Sequence, residues 1–117
     1  MGLKVDTAPG EDHVLVTLGG ELDIYTVADF RERLERLDPA SAQVVIDISD
    51  VTLLDSSGLG ALVSLLNQAR HGGRGIGIIC PQRRLRRVFE ITGLRRAFVF
   101  GDDLAGVRSG LAAADAG

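Results

Sequence analysis

The residues best suited to chemistry in this sequence lie in one run, Asp55-Ser56-Ser57-Gly58, directly after an apolar stretch at 51–54. Asp and Ser are preferred at a helix N-terminus because their side-chain oxygens accept hydrogen bonds from the free backbone N–H groups there. The same helix end carries a partial positive charge, which tolerates a phosphate group. The run is therefore either a helix cap alone, or a cap that also carries a serine for phosphorylation.

Ser56 and Ser57 lack the sequence context of a catalytic nucleophile. A nucleophile elbow requires Gly-x-Ser-x-Gly, and around Ser57 the first glycine is replaced by Asp55. A nucleophilic serine also needs a general base. His13 lies in a predicted strand, and His71 lies about 22 Å along the predicted helix from Ser56. The sequence therefore predicts that the protein is not an enzyme.

The sequence also predicts neither a cofactor nor a metal site. A P-loop contains Gly-Lys-Ser/Thr, whereas the only lysine in this chain is Lys4. A single cysteine, Cys80, excludes an internal disulfide and a Cys-rich zinc site. Cys80 ends an apolar run before a proline, so we expect it to be a small buried hydrophobic residue.

The length and composition indicate a single domain over residues 1–117. The chain has 117 residues, of which 45% are hydrophobic, and it contains no Trp. No apolar stretch reaches the roughly 18 residues of a membrane span, and the N-terminus lacks the apolar block of a signal peptide. These features predict a cytoplasmic protein with no membrane partner. The Ala/Gly/Asp-rich residues 111–117 are expected to fray.

Charge is distributed unevenly along the chain. The net charge is −3, but residues 1–60 have a formal charge of −8 and residues 61–117 one of +5. An arginine cluster, Arg83, Arg84, Arg86 and Arg87, lies in the positive half and is expected on the solvent side of a helix. Such a cluster is a solvated face, a surface for an acidic partner, or a nucleic-acid site. The acidic net charge and the scarcity of aromatic residues disfavour direct nucleic-acid binding.

The hydrophobic periodicity predicts an α/β fold with the element order β-β-α-β-α-β-α-β-α. The predicted strands are 3–7, 13–18, 44–48, 76–80 and 97–100. Gly19-Gly20 is expected to stop the second strand, and Thr26 with Asp29 has the spacing of a capping box for the first helix. The second helix begins at the Asp-Ser-Ser-Gly run and exits through Gly72-Gly73. Strands separated by helices indicate a small, mostly parallel sheet with an antiparallel first hairpin.

Three segments of the chain resemble the STAS-domain anti-sigma-factor antagonists of bacteria. They are GGELDIYTVADFRERL at 19–34, VVIDISDVTLLDSSGLGALVSLLNQAR at 44–70 and LRRVFEITGL at 85–94. Gly-Glu-Leu-Asp and Asp-Ser-Ser-Gly-Leu occur together, in order and with the spacing of that family. The resemblance implies a STAS-type mixed sheet flanked by about four helices.

The resemblance also implies a mechanism. Members of this family bind an anti-sigma factor that is also a serine kinase, and thereby free a sigma factor. The kinase phosphorylates the first serine after the motif aspartate, here Ser56 with Ser57 as second choice, and the phosphorylated protein is released. A metal-dependent serine phosphatase resets the cycle. The partner-binding residues implied by the resemblance are Glu21, Asp23, Asp55, Ser57, Gly58 and Leu59.

Two alternative functions remain at the level of sequence. The same fold serves as a scaffold or sensor-pathway component that does not act on a sigma factor. The second alternative is a nucleic-acid-binding regulator that uses the cluster at Arg83–Arg87.

Overall fold

The computed structural model describes residues 2–116, and the order of its elements is β-β-α-β-α-β-α-β-α, as the sequence predicts. The strands are β1 (Leu3–Pro9), β2 (His13–Leu22), β3 (Gln43–Leu54), β4 (Ile76–Ile79) and β5 (Val99–Gly101). The helices are α1 (Val27–Leu34), α2 (Ser56–His71), α3 (Arg83–Ile91) and α4 (Leu104–Ala116).

The strands form one sheet in the order β1-β2-β3-β4-β5. β1 pairs with β2 in antiparallel orientation, and the remaining neighbours are parallel. Right-handed crossovers that all step in one direction place their helices on the same side of a sheet, so α1, α2 and α3 share one face. The mixed sheet and its antiparallel edge confirm the fold class predicted from the sequence.

The sheet separates two hydrophobic cores. The larger core lies between the sheet and the first three helices, and its bulky, fully buried side chains include Phe30, Ile46, Leu62, Ile78 and Phe89. On the other face, Val107 and Leu111 of α4 pack with Val45 and Ile79. Successive residues of β3 face opposite cores, which explains why residues 44–48 are apolar without alternation.

The glycine pair at 19–20 continues β2 rather than stopping it, so the predicted end of this strand is wrong. The register between β2 and β3 shifts at Thr17/Gly19 and again at Gly20/Glu21. Gly20 has a φ of +97°, and a Cβ at this position would collide with the carbonyl oxygen of Gly2. The two glycines therefore lie at an irregularity within the strand, and at Gly20 a side chain would not fit.

This continuation positions the functional site. β3 also runs past its predicted end at residue 48, to Leu54, where it pairs with Leu22 at the end of β2. The loop after β2 and the N-terminus of α2 therefore leave the sheet side by side. Asp23 and Asp55, which are far apart in sequence, come to the same edge.

The helix ends agree only in part with the sequence prediction. The capping box predicted for Thr26 is wrong: the Thr26 side chain makes no capping hydrogen bond to α1 and its Oγ1 donates instead to the carbonyl oxygen of Glu21 at 2.8 Å. α2 ends where predicted, and Gly73 has the positive φ of +72° expected at a helix exit. The Thr26 Oγ1 atom accepts the backbone N–H of Asp23 at 3.0 Å in place of a backbone N–H of α1, which explains the lost cap.

The C-terminal segment is helical where the structure describes it. α4 continues to Ala116, and Leu111, where fraying is expected to begin, is buried in the smaller core. Gly117 lies outside the described residues. Within residues 2–116 no helix combines the length and the apolar character needed to cross a membrane.

Candidate functional site

Asp55 is the residue around which the site is built. It is the N-cap of α2, with extended backbone angles (φ −106°, ψ −176°). Its Oδ1 accepts hydrogen bonds from the backbone N–H groups of Ser57 at 2.9 Å and Gly58 at 3.1 Å. Its Oδ2 accepts the backbone N–H of Ile24 at 3.1 Å. The carboxylate therefore caps the helix and also anchors the loop that follows β2.

Ser56 is the first residue of α2 and is exposed, whereas Ser57 is half-buried. The Asp55 carboxylate caps α2 through the backbone N–H groups of Ser57 and Gly58. The cap therefore does not use the hydroxyl of Ser56. Because a helix N-terminus carries a partial positive charge, this position suits a negatively charged group on Ser56. This geometry makes Ser56 the more accessible of the two serines.

Gly58 and Leu59 are buried next to Ser57 and are not on the protein surface. Gly58 is buried, and a Cβ there would lie 2.7 Å from the carbonyl oxygen of Leu22 and 2.9 Å from a methyl carbon of Leu54. Leu59 is only 6% exposed and belongs to the larger core. Both residues were expected to contact a partner. Because they are buried, they instead hold the start of α2 close to the ends of β2 and β3.

Asp23 shapes the loop between β2 and α1. Its side chain is buried, with 6% of the residue exposed. Its Oδ1 accepts the backbone N–H groups of Tyr25 at 2.9 Å and Thr26 at 3.1 Å. The backbone N–H of Asp23 in turn donates to Thr26 Oγ1 at 3.0 Å. Asp23 therefore fixes the path of this loop from inside, while Glu21, at the end of β2, is half-buried.

Exposed apolar side chains near Ser56 form a feature that the sequence analysis missed. Ile24 is 65% exposed, Tyr25 90% and Leu53 44%. We call the patch of Ile24, Tyr25, Leu53, Ser56 and Ser57 the Ser56 surface. The available signal was the chain's single Tyr, next to Ile24 in a predicted loop. Leu53 gave no signal, since it belongs to a run that reads as buried.

Ser56 is next to the carboxylate of Asp55, but the described residues contain no cluster of metal-binding side chains. No cluster of three or more His, Cys, Asp or Glu residues within 2–116 is placed to hold a metal ion. Both oxygens of the neighbouring Asp55 already accept backbone hydrogen bonds.

Cys80 is buried in the larger core, and burial raises the pKa of its thiol, against an opposing effect of Arg86.

The arginine cluster lies apart from the Ser56 surface. α3 begins after Gln82, whose amide donates to the carbonyl oxygens of Ile48 and Ser49. From there β3 continues for about 17 Å to its end beside Ser56. Arg86, expected on the solvent side, is half-buried and donates to the Cys80 carbonyl oxygen at 2.6 Å.

Comparison with known families agrees with this architecture. The model of the family described as "STAS domain" matches residues 4–107. The chain belongs to the STAS domain family. The resemblance inferred from the three sequence segments is thereby confirmed.

Relatives of this STAS domain include named bacterial regulators. It is 34% identical over 95 residues to an anti-sigma-B factor antagonist of Bacillus subtilis, an alignment that covers 81% of this chain and 87% of the relative. It is 33% identical over 96 residues to an anti-sigma-B factor antagonist of Staphylococcus epidermidis, covering 81% and 89%. The alignments thus cover most of both proteins.

Solved structures share the fold of this STAS domain. An anti-sigma factor antagonist from Mycobacterium paratuberculosis superposes with a TM-score of 0.84 at 22% identity, covering 94% of each chain. The anti-sigma factor antagonist SpoIIAA in its unphosphorylated form gives a TM-score of 0.71 at 20% identity, covering 91% of this chain and 95% of SpoIIAA. Identities this low establish the fold alone.

Proposed function

We propose that this STAS domain is an anti-sigma-factor antagonist. Its unphosphorylated form binds an anti-sigma factor that is also a serine kinase, and thereby frees a sigma factor. Phosphorylation of Ser56 releases the complex, and a metal-dependent serine phosphatase restores the binding form. The domain itself performs no catalysis in this cycle.

The exposure of Ser56 at the first position of α2, beside exposed apolar side chains, is the observation that carries the proposal. A kinase can reach this hydroxyl without unfolding the helix. Ile24, Tyr25 and Leu53 supply the apolar contact area that a protein partner would cover. The names of the Bacillus and Staphylococcus relatives support an anti-sigma factor as that partner.

A phosphate on Ser56 acts mainly on the interface and little on the fold. The group adds about −1.5 to −2 charges at neutral pH. The helix dipole stabilises it by about 0.3–1 kcal/mol, and repulsion from the Asp55 carboxylate opposes that gain. At the interface, the phosphate would be desolvated against a surface that fits a neutral hydroxyl. Since about 1.4 kcal/mol corresponds to a tenfold change in affinity, a few kcal/mol suffice for release.

Calorimetric titration against the cognate anti-sigma kinase tests this proposal. We expect Ser56→Ala to bind like the unphosphorylated parent in the presence of ATP, and Ser56→Asp to bind at least about tenfold more weakly. Circular dichroism should show both variants folded like the parent. Ser57→Ala is the matched control and should still be phosphorylated. Label from ATP on Ser57, or equally tight binding by Ser56→Asp, would contradict the mechanism.

A further inference from the structure

A second charged surface lies on α3 and the turn that follows it. We call it the arginine surface; its members are the exposed residues Arg83, Arg84, Arg87, Ile91, Arg95 and Arg96. None of these residues takes part in the Ser56 surface. The larger core covers only the opposite side of α3, through Leu85 and Phe89, which are fully buried. The charged side of the helix is therefore left to solvent.

The five arginines of this surface have no acidic partner in the described part of the chain. Within residues 2–116, carboxylate oxygens lie within 4.0 Å of Arg33, Arg86 and Arg108 and of none of these five. Arg86 shows the contrast within α3, because its Nη2 lies 2.6 Å from a carboxylate oxygen of Asp102. α3 carries four arginines and one acidic residue, Glu90, and like charges in excess on a short helix repel each other and attract an anionic group.

An apolar side chain lies within the arginine surface. Ile91, 75% exposed, is in the last turn of α3, four residues after Arg87 and therefore on the same side of the helix. Arg95 follows Ile91, and its guanidinium carbon lies 4.6 Å from the centre of the Phe100 ring, which restricts its position. Arginines around an exposed apolar side chain are a typical composition for a protein interface.

We propose that the arginine surface binds an acidic segment of another protein that supplies an apolar side chain to Ile91. The length of α3, the charge of the chain and the composition of the arginine surface favour a protein over a nucleic acid. α3 extends for only about 13 Å, and residues 1–60 carry a formal charge of −8, which would repel the rest of a long polyanion. A nucleic acid would also gain little from contact with Ile91, and the arginine surface contains no aromatic side chain on which a base could stack.

Two fluorescent peptides of equal charge test the proposal independently of any anti-sigma kinase. Both are rich in Glu, and one has a central Leu-Phe pair where the other has Ser-Ser. We expect the Leu-Phe peptide to bind about tenfold more tightly, and Ile91→Ser to remove that difference. The double variant Arg84→Glu/Arg87→Glu should bind neither peptide. Arg84 lies in the first turn of α3, where a Glu suits the helix dipole, and both arginines are exposed, so this variant should remain folded.

Charge-matched controls separate this surface from general electrostatics. Arg36, in the turn after α1, and Arg70 on α2 are exposed arginines away from α3, and Arg36→Glu/Arg70→Glu should bind both peptides like the parent. Equal binding of the two peptides would overturn the proposal, as would no binding at low salt. Tighter arginine-dependent binding of single-stranded DNA or of anionic lipid vesicles would also overturn it. So would self-association that Arg84→Glu/Arg87→Glu abolishes, because the occupant would then be a second copy.

Discussion

The Oδ2 atom of Asp55 accepts a hydrogen bond from the backbone N–H of Ile24 at 3.1 Å, while Oδ1 of the same carboxylate caps α2. One side chain therefore fixes both the helix that carries Ser56 and the loop that carries the exposed Ile24 and Tyr25. The two halves of the Ser56 surface are coupled through this carboxylate.

Substitutions of Asp55 should separate these two roles. We expect Asp55→Ala to lower the free energy of unfolding by about 1–2 kcal/mol, because it removes the helix cap. Asp55→Asn keeps one carbonyl oxygen for the cap but has no second acceptor for Ile24. It should lose less stability, while the amide hydrogen of Ile24 exchanges faster. Urea unfolding and hydrogen exchange measure the two effects. Unchanged exchange at Ile24 in Asp55→Asn would contradict the proposed coupling.

Asp23 should tolerate an amide better than a methyl group. Asp23→Asn retains an oxygen that accepts the N–H groups of Tyr25 and Thr26, so its free energy of unfolding should stay close to that of the parent. Asp23→Ala removes the acceptor of the Tyr25 N–H and leaves the Thr26 N–H only the backbone carbonyl oxygen of Asp23, at 3.2 Å, so it should lose about 1–3 kcal/mol. Asp50→Ala, at an exposed carboxylate, is the control and should stay within about 0.5 kcal/mol. Equal losses for Asn and Ala would assign the role to the negative charge.

Two glycines of α2 should respond in opposite directions to alanine. A Cβ at Gly58 would lie 2.7 Å from the carbonyl oxygen of Leu22, so Gly58→Ala must displace α2 from β2 and should cost about 1–3 kcal/mol. A Cβ at Gly60 meets no atom within 4 Å, and Gly60→Ala should stabilise the helix by about 0.5–1 kcal/mol. Thermal unfolding of both variants checks this. Destabilisation by Gly60→Ala would show that this position has a further contact.

Cys80 should be protected from thiol reagents and should make stability depend on alkaline pH. Burial raises the pKa of the folded thiol, so the unfolded chain loses its proton first. The contribution of Cys80 to the free energy of unfolding should therefore be constant below the unfolded pKa of about 8.5 and fall as the pH rises above it. Native protein should react with a thiol reagent only after urea is added. Cys80→Ala should lose the contribution of this residue to the alkaline slope, and an unchanged slope would contradict the assignment.

The sequence predicts the type and order of the strands and helices better than it predicts where each of them begins or ends. Periodicity identifies the strands and helices because each buries one face or both. The glycine pair at 19–20 misleads because the need for a glycine at Gly20 comes from Gly2, which the pairing of β1 with β2 brings close only after folding. Thr26 misleads for a similar reason, since the fold of the loop makes its hydroxyl accept from the Asp23 N–H and donate to the Glu21 carbonyl oxygen.

At the site, too, the sequence predicts features that depend on neighbouring residues and misses features that depend on the tertiary fold. The N-cap role of Asp55 depends on its near neighbours, so the sequence predicts it. The sequence does not predict the exposure of Leu53, because that exposure depends on how far β3 extends before α2 begins. Gly58 and Leu59 were assigned to the contact surface through family resemblance, and only the packing of α2 on Leu22 and Leu54 reveals that they are buried.

Tyr25 should matter for partner binding and hardly at all for stability. Its side chain is 90% exposed, so Tyr25→Ala removes almost no packing and should change the free energy of unfolding by less than about 0.5 kcal/mol. If the Ser56 surface binds the anti-sigma kinase, burial of this ring at the interface makes it a candidate hot spot, worth about 2 kcal/mol or more on truncation. We therefore expect Tyr25→Ala to weaken binding at least about thirtyfold in a calorimetric titration.

Two controls decide whether that loss is local to the Ser56 surface. Tyr25→Phe keeps the ring and should bind within a few-fold of the parent, because the apolar area is retained. Ile91→Ala removes another highly exposed apolar side chain, on α3, and should leave the phosphorylation rate of Ser56 unchanged if α3 contacts a different partner. If Tyr25→Ala bound the kinase as tightly as the parent and was phosphorylated at the same rate, the exposed ring would lie outside the interface. The contact with the kinase would then have to depend on Leu53, Ser56 and the start of α2.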